Sequence, residues 1–174
     1  EEKAFETNKK TISYIDYKLK KKKTHLIIEA VKIIKDKFPS LTFKSFGLEM
    51  FNEHPKFVNF IRNPSQKEIA NIYNESHIFI FASSEEGFGL PPAEAMACKS
   101  SVISSPIGAV PEYSLNGKSV LFINPEDVES IVESASLLLT DNRLNKSISE
   151  NGFKMVREIL NWDKSVDKLI DILK

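Results

Sequence analysis

The segment that most restricts the fold is His77-Ile-Phe-Ile-Phe-Ala82. It is nearly all apolar, rich in β-branched and aromatic residues, and too short to stand as a buried helix. Such a run reads as a strand, and apolar side chains on both of its faces need cover on both faces. A helical pattern precedes it and a glycine- and proline-rich loop follows it. The segment therefore predicts a parallel sheet with helices packed on either side.

The rest of the chain repeats that alternation. Residues 11–16 (TISYID) read as a strand and residues 18–23 (KLKKKK) as a basic loop. Thr24 is placed to cap a helix whose buried face is Ile27, Ala30, Val31 and Ile34, and Pro39 ends it. Residues 41–46, closed by Gly47, and residues 56–61 read as strands, and Asn63-Pro64 as a turn. Ser65 and Glu68 form a capping box for a helix that buries Ile69, Ile72 and Tyr73. After the apolar strand comes a helix from about Pro92, then strands at 101–105 and 119–124 around a loop with a short helix. Helices over 127–140, 143–160 and 163–173 finish the chain. The expected fold is α/β: a Rossmann-like parallel sheet of about six strands with helices on both faces. Residues 1–10 read as a linker and residues 11–174 as one domain. In such sheets a ligand sits beyond the carboxyl ends of the strands, where strand order reverses.

Residues 83–98 (SSEEGFGLPPAEAMAC) follow the apolar strand at that edge. Gly87 and Gly89 permit positive φ and close approach of the backbone to a ligand. Pro91 or Pro92 pre-sets the first helical turn. The N–H groups of that turn form a site for a phosphate or diphosphate. Glu94, in the same turn, either complements the helix dipole or accepts hydrogen bonds from ribose hydroxyls beside the diphosphate. Glu86 is either a surface carboxylate or a group that binds a sugar hydroxyl or balances positive charge. Lysines 18 and 20–23 supply positive charge between the first strand and its helix, at the same edge of the sheet.

Other chemistries find less support. Lys plus Arg number 24 and Asp plus Glu number 24, which argues against an electrostatically driven nucleic-acid binder. The chain has no G-x-G-x-x-G, no G-x-x-x-x-G-K-[ST], no H-E-x-x-H and no Asp-x-Asp pair for a nucleotide-bound metal. His25, His54 and His77 are scattered, as structural or exposed histidines are. The single cysteine, Cys98, excludes an intrachain disulfide and fits a reducing compartment. No apolar run approaches the roughly 18 residues of a membrane span. The expectation is a soluble cytoplasmic domain. The first residue, Glu1, points to a chain processed or excised from something longer.

EGFGLPPAEAMAC resembles the E-x7-E signature of retaining glycosyltransferases of GT-B architecture, group 1 (family four). Ser65-Gln-Lys-Glu68 with Ile69, Ala70 and Tyr73 resembles the family's helix ahead of that signature. Residues 107–127 (IGAVPEYSLNGKSVLFINPED) resemble its G-G-x-P-E tract, and Trp162 its late aromatic position. The match runs over residues 11–173 and concerns only the C-terminal, donor-binding half. The resemblance implies that Glu86 is the catalytic-site glutamate near the donor sugar and its leaving group. It implies that Gly87, Phe88, Gly89 and Leu90 give backbone N–H groups to sugar and diphosphate, and that Glu94 binds the ribose. Lys22 falls on the phosphate-binding lysine, and residues 61–64, with Asn63, border the base. The chain departs from the family at Tyr17 (an arginine there), Lys23 (a glycine), Ala109 (a glycine) and residues 98–102 (C-G-x-P-V). Lys18 and Lys23 are the cations that can stand in for the arginine.

The implied function is retaining transfer of a sugar from a nucleotide diphosphate sugar to a glycan, lipid or protein. The resemblance implies no cofactor and no metal, and an acceptor held by an N-terminal domain that this chain lacks. On its own the chain is expected to bind nucleotide and transfer little or nothing. Peripheral membrane contact remains open to the full-length protein. The alternatives are a non-catalytic nucleotide-sugar-binding subunit, or a GT-B phosphorylase or epimerase.

Overall fold

The computed structural model describes residues 10–50 and 54–173. Its elements follow the expected alternation: β1 (Thr11–Ile15), α1 (Thr24–Lys37), β2 (Thr42–Gly47), β3 (Val58–Arg62), α2 (Gln66–Glu75), β4 (Ile78–Phe81) and α3 (Leu90–Ala97). Then come β5 (Ser101–Ser104), α4 (Val110–Tyr113), β6 (Leu121–Phe122), α5 (Val128–Thr140), α6 (Asn142–Ile159) and α7 (Trp162–Leu173). The six strands form one sheet in the order β3-β2-β1-β4-β5-β6, with every pairing parallel. Strand order reverses between β1 and β4, so the crevice of this Rossmann-like fold opens above that pair.

The period-2 rule explains the two-sided core. Ile78 and Ile80 of β4 face the layer of α1 and α5, with Ile12, Ile27, Val31, Ile131 and Ala135. Phe79 and Phe81 face the layer of α2, α3 and α4, with Tyr73, Met96 and Tyr113. All four are 4% exposed or less, and each contributes roughly 1.5–3 kcal/mol through burial. The buried Ser13 of β1 has a polar neighbour: Ser76 Oγ donates to Ile72 O at 2.6 Å and lies 2.6 Å from Ser13 Oγ.

Several boundaries differ from the sequence expectation. Thr24 does not cap α1. It is the first helical residue, and its Oγ1 accepts the N–H of Tyr17 at 3.1 Å. The preceding residue, Lys23, takes a left-handed conformation (φ 52°) between a 3-10 turn at Lys20–Lys22 and α1, the conformation for which glycine is favoured. The last strand shrinks to Leu121–Phe122, because Val120 bridges to Asn116 instead and its C=O accepts from Gly117 N–H at 2.8 Å. α3 begins at Leu90, two residues before Pro92, with Gly89 as its cap. The capping box of Ser65 and Glu68 is present. The linker reading for residues 1–10 lies outside the described residues except at Lys10, whose Nζ is anchored on Leu139 O at 2.7 Å and Asn142 Oδ1 at 2.6 Å. α7 is amphipathic yet buries no residue; Trp162 is 82% exposed. Among the described residues no helix is long and apolar enough to cross a membrane.

Candidate functional site

The carboxyl ends of the strands carry two cavities. One, of about 380 Å³, is walled by Phe46 and Leu48 from the end of β2, Asn63 after β3, and Tyr17, Leu90 and Glu94. The other, of about 460 Å³, is walled by Lys21 and Lys22 from the loop after β1 and by Glu85, Glu86 and Gly87 from the loop after β4. Lys22 Nζ lies 5.0 Å from the centre of the Tyr17 ring, so the two cavities adjoin at this pair.

Hydrogen bonds across the switch point hold the two loops together. Ser84 N–H donates to Lys21 O at 2.8 Å, and Ser83 Oγ donates to the same carbonyl at 3.2 Å. Ser105 Oγ donates to Ser83 O at 2.6 Å, tying the β4 loop to the end of β5. Lys22 and Glu86 form an ion pair, with only 14% and 13% of their side chains exposed. The remaining lysines of the basic loop are also largely matched: Lys18 with Glu49, Lys21 with Glu85 and Lys23 with Glu126. Glu49 and Glu126, the partners of Lys18 and Lys23, line neither cavity. Of these pairs only Lys22 with Glu86 is mostly buried on both sides; the Lys18 and Lys21 pairs are roughly half exposed or more.

Glu94 accepts a hydrogen bond from Tyr73 Oη at 3.1 Å. Because α3 starts at Leu90, Glu94 lies beyond the first turn, which carries no acidic residue. The dipole-complementing role read from its position is therefore corrected. The anion cradle also differs from expectation. Pro91 and Pro92 have no N–H to offer, and the N–H of Ala93 is the first one taken up inside the helix, by the C=O of the cap Gly89; the Tyr113 hydroxyl also donates to Gly89 O, at 2.5 Å. Of the first four helical residues, Leu90 is the one left to offer its N–H toward the loop, beside those of Gly87, Phe88 and Gly89.

The glycines separate by need. Gly89 has φ 82°, and a Cβ there would lie 2.7 Å from Val110 Cγ2. Gly87 has open space around it and no positive φ, so neither packing nor backbone conformation within the chain requires glycine there. Gly108, at φ 60°, was not singled out by its sequence context, yet a Cβ there would meet Gly87 O at 2.5 Å. It lets the β5 loop close over the β4 loop, and Ala109 N–H donates to Gly87 O at 3.2 Å. Phe88 stacks on Tyr113, with ring centres 5.7 Å apart.

Three tyrosines complete the site, and all three are held protonated. Burial first, then Glu94, raises the pKa of Tyr73 well above its usual value. Burial and Glu86 do the same for Tyr113. Burial, then Glu86, then Glu94 raise that of Tyr17. Sequence reasoning took Tyr73 for core and Tyr17 for a departure from a pattern. The available signal was position: an amphipathic residue at a strand or helix end puts its ring in the core and its hydroxyl at the edge. The histidines stay outside the site. His54 Nε2 lies 2.5 Å from Asp16 Oδ2 in a buried pair just past the end of β1, and His77 Nδ1 accepts from Thr11 N–H at 3.2 Å. Among the described residues no group of three or more His, Cys, Asp or Glu side chains is placed to hold a metal ion.

The class defined by this fold is the open, all-parallel Rossmann-like domain with its cavities at the switch point. Comparison narrows it. The sequence model described as "Glycosyl transferases group 1" matches residues 1–155, and the chain belongs to that family. A solved C-terminal domain of a glycosyl transferase group 1 family protein from Francisella tularensis has a TM-score of 0.76. It is 26% identical, over 88% of this chain and 87% of that one. The capsular polysaccharide biosynthesis glycosyltransferase CapM of Staphylococcus aureus is 28% identical over 83% of this chain and 40% of its own length. The chain spans less than half the length of the curated relatives it matches first. The Anabaena protein HepE, solved in complex with UDP-glucose, shares the fold at a TM-score of 0.81 and 16% identity, over 95% of this chain and 49% of that one.

Proposed function

We propose that this chain is the donor-binding half of a retaining glycosyltransferase that uses a nucleotide diphosphate sugar. The observation that carries the reading is the placement of Glu86 and Glu94 in adjoining cavities at the strand-end crevice, with Lys22 at their junction. The base and ribose lie in the cavity of Phe46, Leu48, Asn63 and Glu94, whose carboxylate accepts from ribose hydroxyls. The diphosphate crosses the junction and meets Lys22 and the N–H groups of residues 87–90. The sugar lies in the cavity of Glu86.

Chemistry follows from charge. Negative charge grows on the leaving diphosphate, and groups already aimed at it are the most effective stabilisers. Lys22 and the loop N–H groups fill that role without a metal. A phosphate reaching Lys22 competes with Glu86 for its ammonium, and Glu86 then turns to the sugar, where a carboxylate favours an oxocarbenium-like transition state. The acceptor, a glycan, lipid or protein, is held by an N-terminal domain and attacks from the leaving-group side. Closure of two domains excludes water in such reactions, so this chain alone binds nucleotide and transfers little.

A thermal-shift panel of UDP, GDP, ADP and CMP against this chain, followed by the corresponding sugars, tests the reading. The expected result is a rise in unfolding temperature with one of the diphosphates. No shift with any diphosphate, checked by calorimetry, removes the donor site.

A further inference from the structure

Tyr17 stands at the divide between the cavities. Its N–H donates to Thr24 Oγ1, which fixes where the side chain leaves the end of β1. The ammonium of Lys22 lies over its ring at 5.0 Å and 6.0 Å from the centre of the Phe81 ring, an aromatic seat for the cation. The side chain lines the cavity that holds Glu94, while Glu86 pairs with Lys22. Burial and these two carboxylates keep the phenol protonated, so it remains a hydrogen-bond donor through the neutral range.

An anion that spans both cavities has to pass this point. It meets one ammonium, two carboxylates that repel it, and a phenol. A second cation placed here would be drawn to Glu86 and Glu94, and the anion would have to displace it from them. A neutral O–H makes no such pair and still donates.

We propose that Tyr17 is both a phosphate-binding residue and the positioning residue for Lys22: its ring seats the ammonium, and its hydroxyl donates to an oxygen of a diphosphate crossing between the cavities. This rests on the donor-binding reading above. One consequence is that a second cation placed at residue 17 steepens the dependence of affinity on salt.

Calorimetry on the 174-residue chain with the nucleoside diphosphate that binds best, and with its parent nucleoside, tests the inference in wild type, Tyr17→Phe, Tyr17→Ala and Tyr17→Arg. Tyr17→Phe keeps the ring and the fold. It is expected to weaken the diphosphate about tenfold, the effect of losing one hydrogen bond to a charged group, and to leave the nucleoside unchanged. Tyr17→Ala is expected to weaken the diphosphate further, because Lys22 loses its seat. Tyr17→Arg is expected to steepen the salt dependence. Wild-type affinity in Tyr17→Phe overturns the hydroxyl's part, and equal affinities in the Phe and Ala variants overturn the seat. Equal weakening of nucleoside and diphosphate in Tyr17→Phe marks a purely structural residue and overturns both. If wild type binds no nucleoside diphosphate, the donor-binding reading fails, and this inference fails with it; if wild type binds and Tyr17→Phe is silent, only the hydroxyl's part fails.

Discussion

The two cavities share one edge of one sheet and are built from different material. The wall of Ile15, Phe46, Leu48, Ile69 and Leu90 is apolar surface from the ends of β1 and β2 and from α2 and α3, with Asn63, Gln66 and Glu94 among its polar groups. The wall of Lys21, Lys22, Glu85 and Glu86 belongs wholly to the loops after β1 and β4. An apolar surface can be continuous with the core. Charges cannot, because leaving one unpaired in a desolvated place is costly. Here they come as two consecutive rungs, Lys21 with Glu85 and Lys22 with Glu86, each spanning 64 residues of chain. The difference teaches how each cavity takes a ligand. The first has to shed water from apolar walls, whereas the second has to exchange one charged partner for another.

The exchange gives the largest expected effect. Glu86→Gln removes the charge and keeps the shape. In the full-length protein it is expected to lower transfer by about 100-fold or more, as removal of one preorganised electrostatic group at a transition state does. Nucleotide affinity should hold or tighten, since Lys22 is released to the phosphate. Steady-state kinetics paired with calorimetry separates the two quantities. Turnover near that of wild type, or a loss in binding equal to the loss in transfer, makes the cavities equivalent and takes Glu86 out of the chemistry.

The same contrast explains what could be read from the sequence. The apolar side was legible because one residue type and one period determine it: Ile78, Phe79, Ile80 and Phe81 split between the two core layers as a two-sided strand requires. The capping box at Ser65 was equally local. The charged side was legible only in its members. That residue 22 meets residue 86, and residue 23 meets residue 126, is a fact of tertiary register that no local pattern contains. The start of α3 shows the limit from another direction. A proline pair fits the first turn in more than one register, and Tyr113, whose hydroxyl donates to Gly89 O, is the distant partner found at the chosen one. Lys22 was located by family resemblance, and its seat on Tyr17 needed coordinates.

The two glycines of the β4 loop come next in size. Gly89→Ala forces an alanine to φ 82° and its Cβ to within 2.7 Å of Val110 Cγ2. The left-handed conformation alone costs about 1–2 kcal/mol, and at roughly 2–4 °C per kcal/mol for a domain of this size the unfolding temperature falls by several degrees. Gly87→Ala, with nothing near its Cβ, is the control and should leave stability unchanged. A matched fall in both variants contradicts the division of roles between the glycines. Weaker diphosphate binding in a fully stable Gly87→Ala sharpens it, because it identifies residue 87 as the point of backbone approach.

Glu94 carries the smallest effect and tests the apolar cavity. Its carboxylate already accepts from Tyr73 Oη, so a ribose competes for the second lone pairs rather than for a bare charge. Glu94→Ala is expected to weaken nucleoside and nucleoside diphosphate alike, by about tenfold, in keeping with one hydrogen bond to a charged acceptor. The parallel loss is the signature of a group on the ribose side of the junction; Tyr17→Phe, on the phosphate side, should lack it. A 2′,3′-dideoxynucleotide supplies the decisive comparison. Without the hydroxyls it should bind wild type and Glu94→Ala with the same affinity. If it discriminates between them as strongly as the ribonucleotide does, Glu94 acts through the fold of α3 and Tyr73, and the ribose belongs elsewhere.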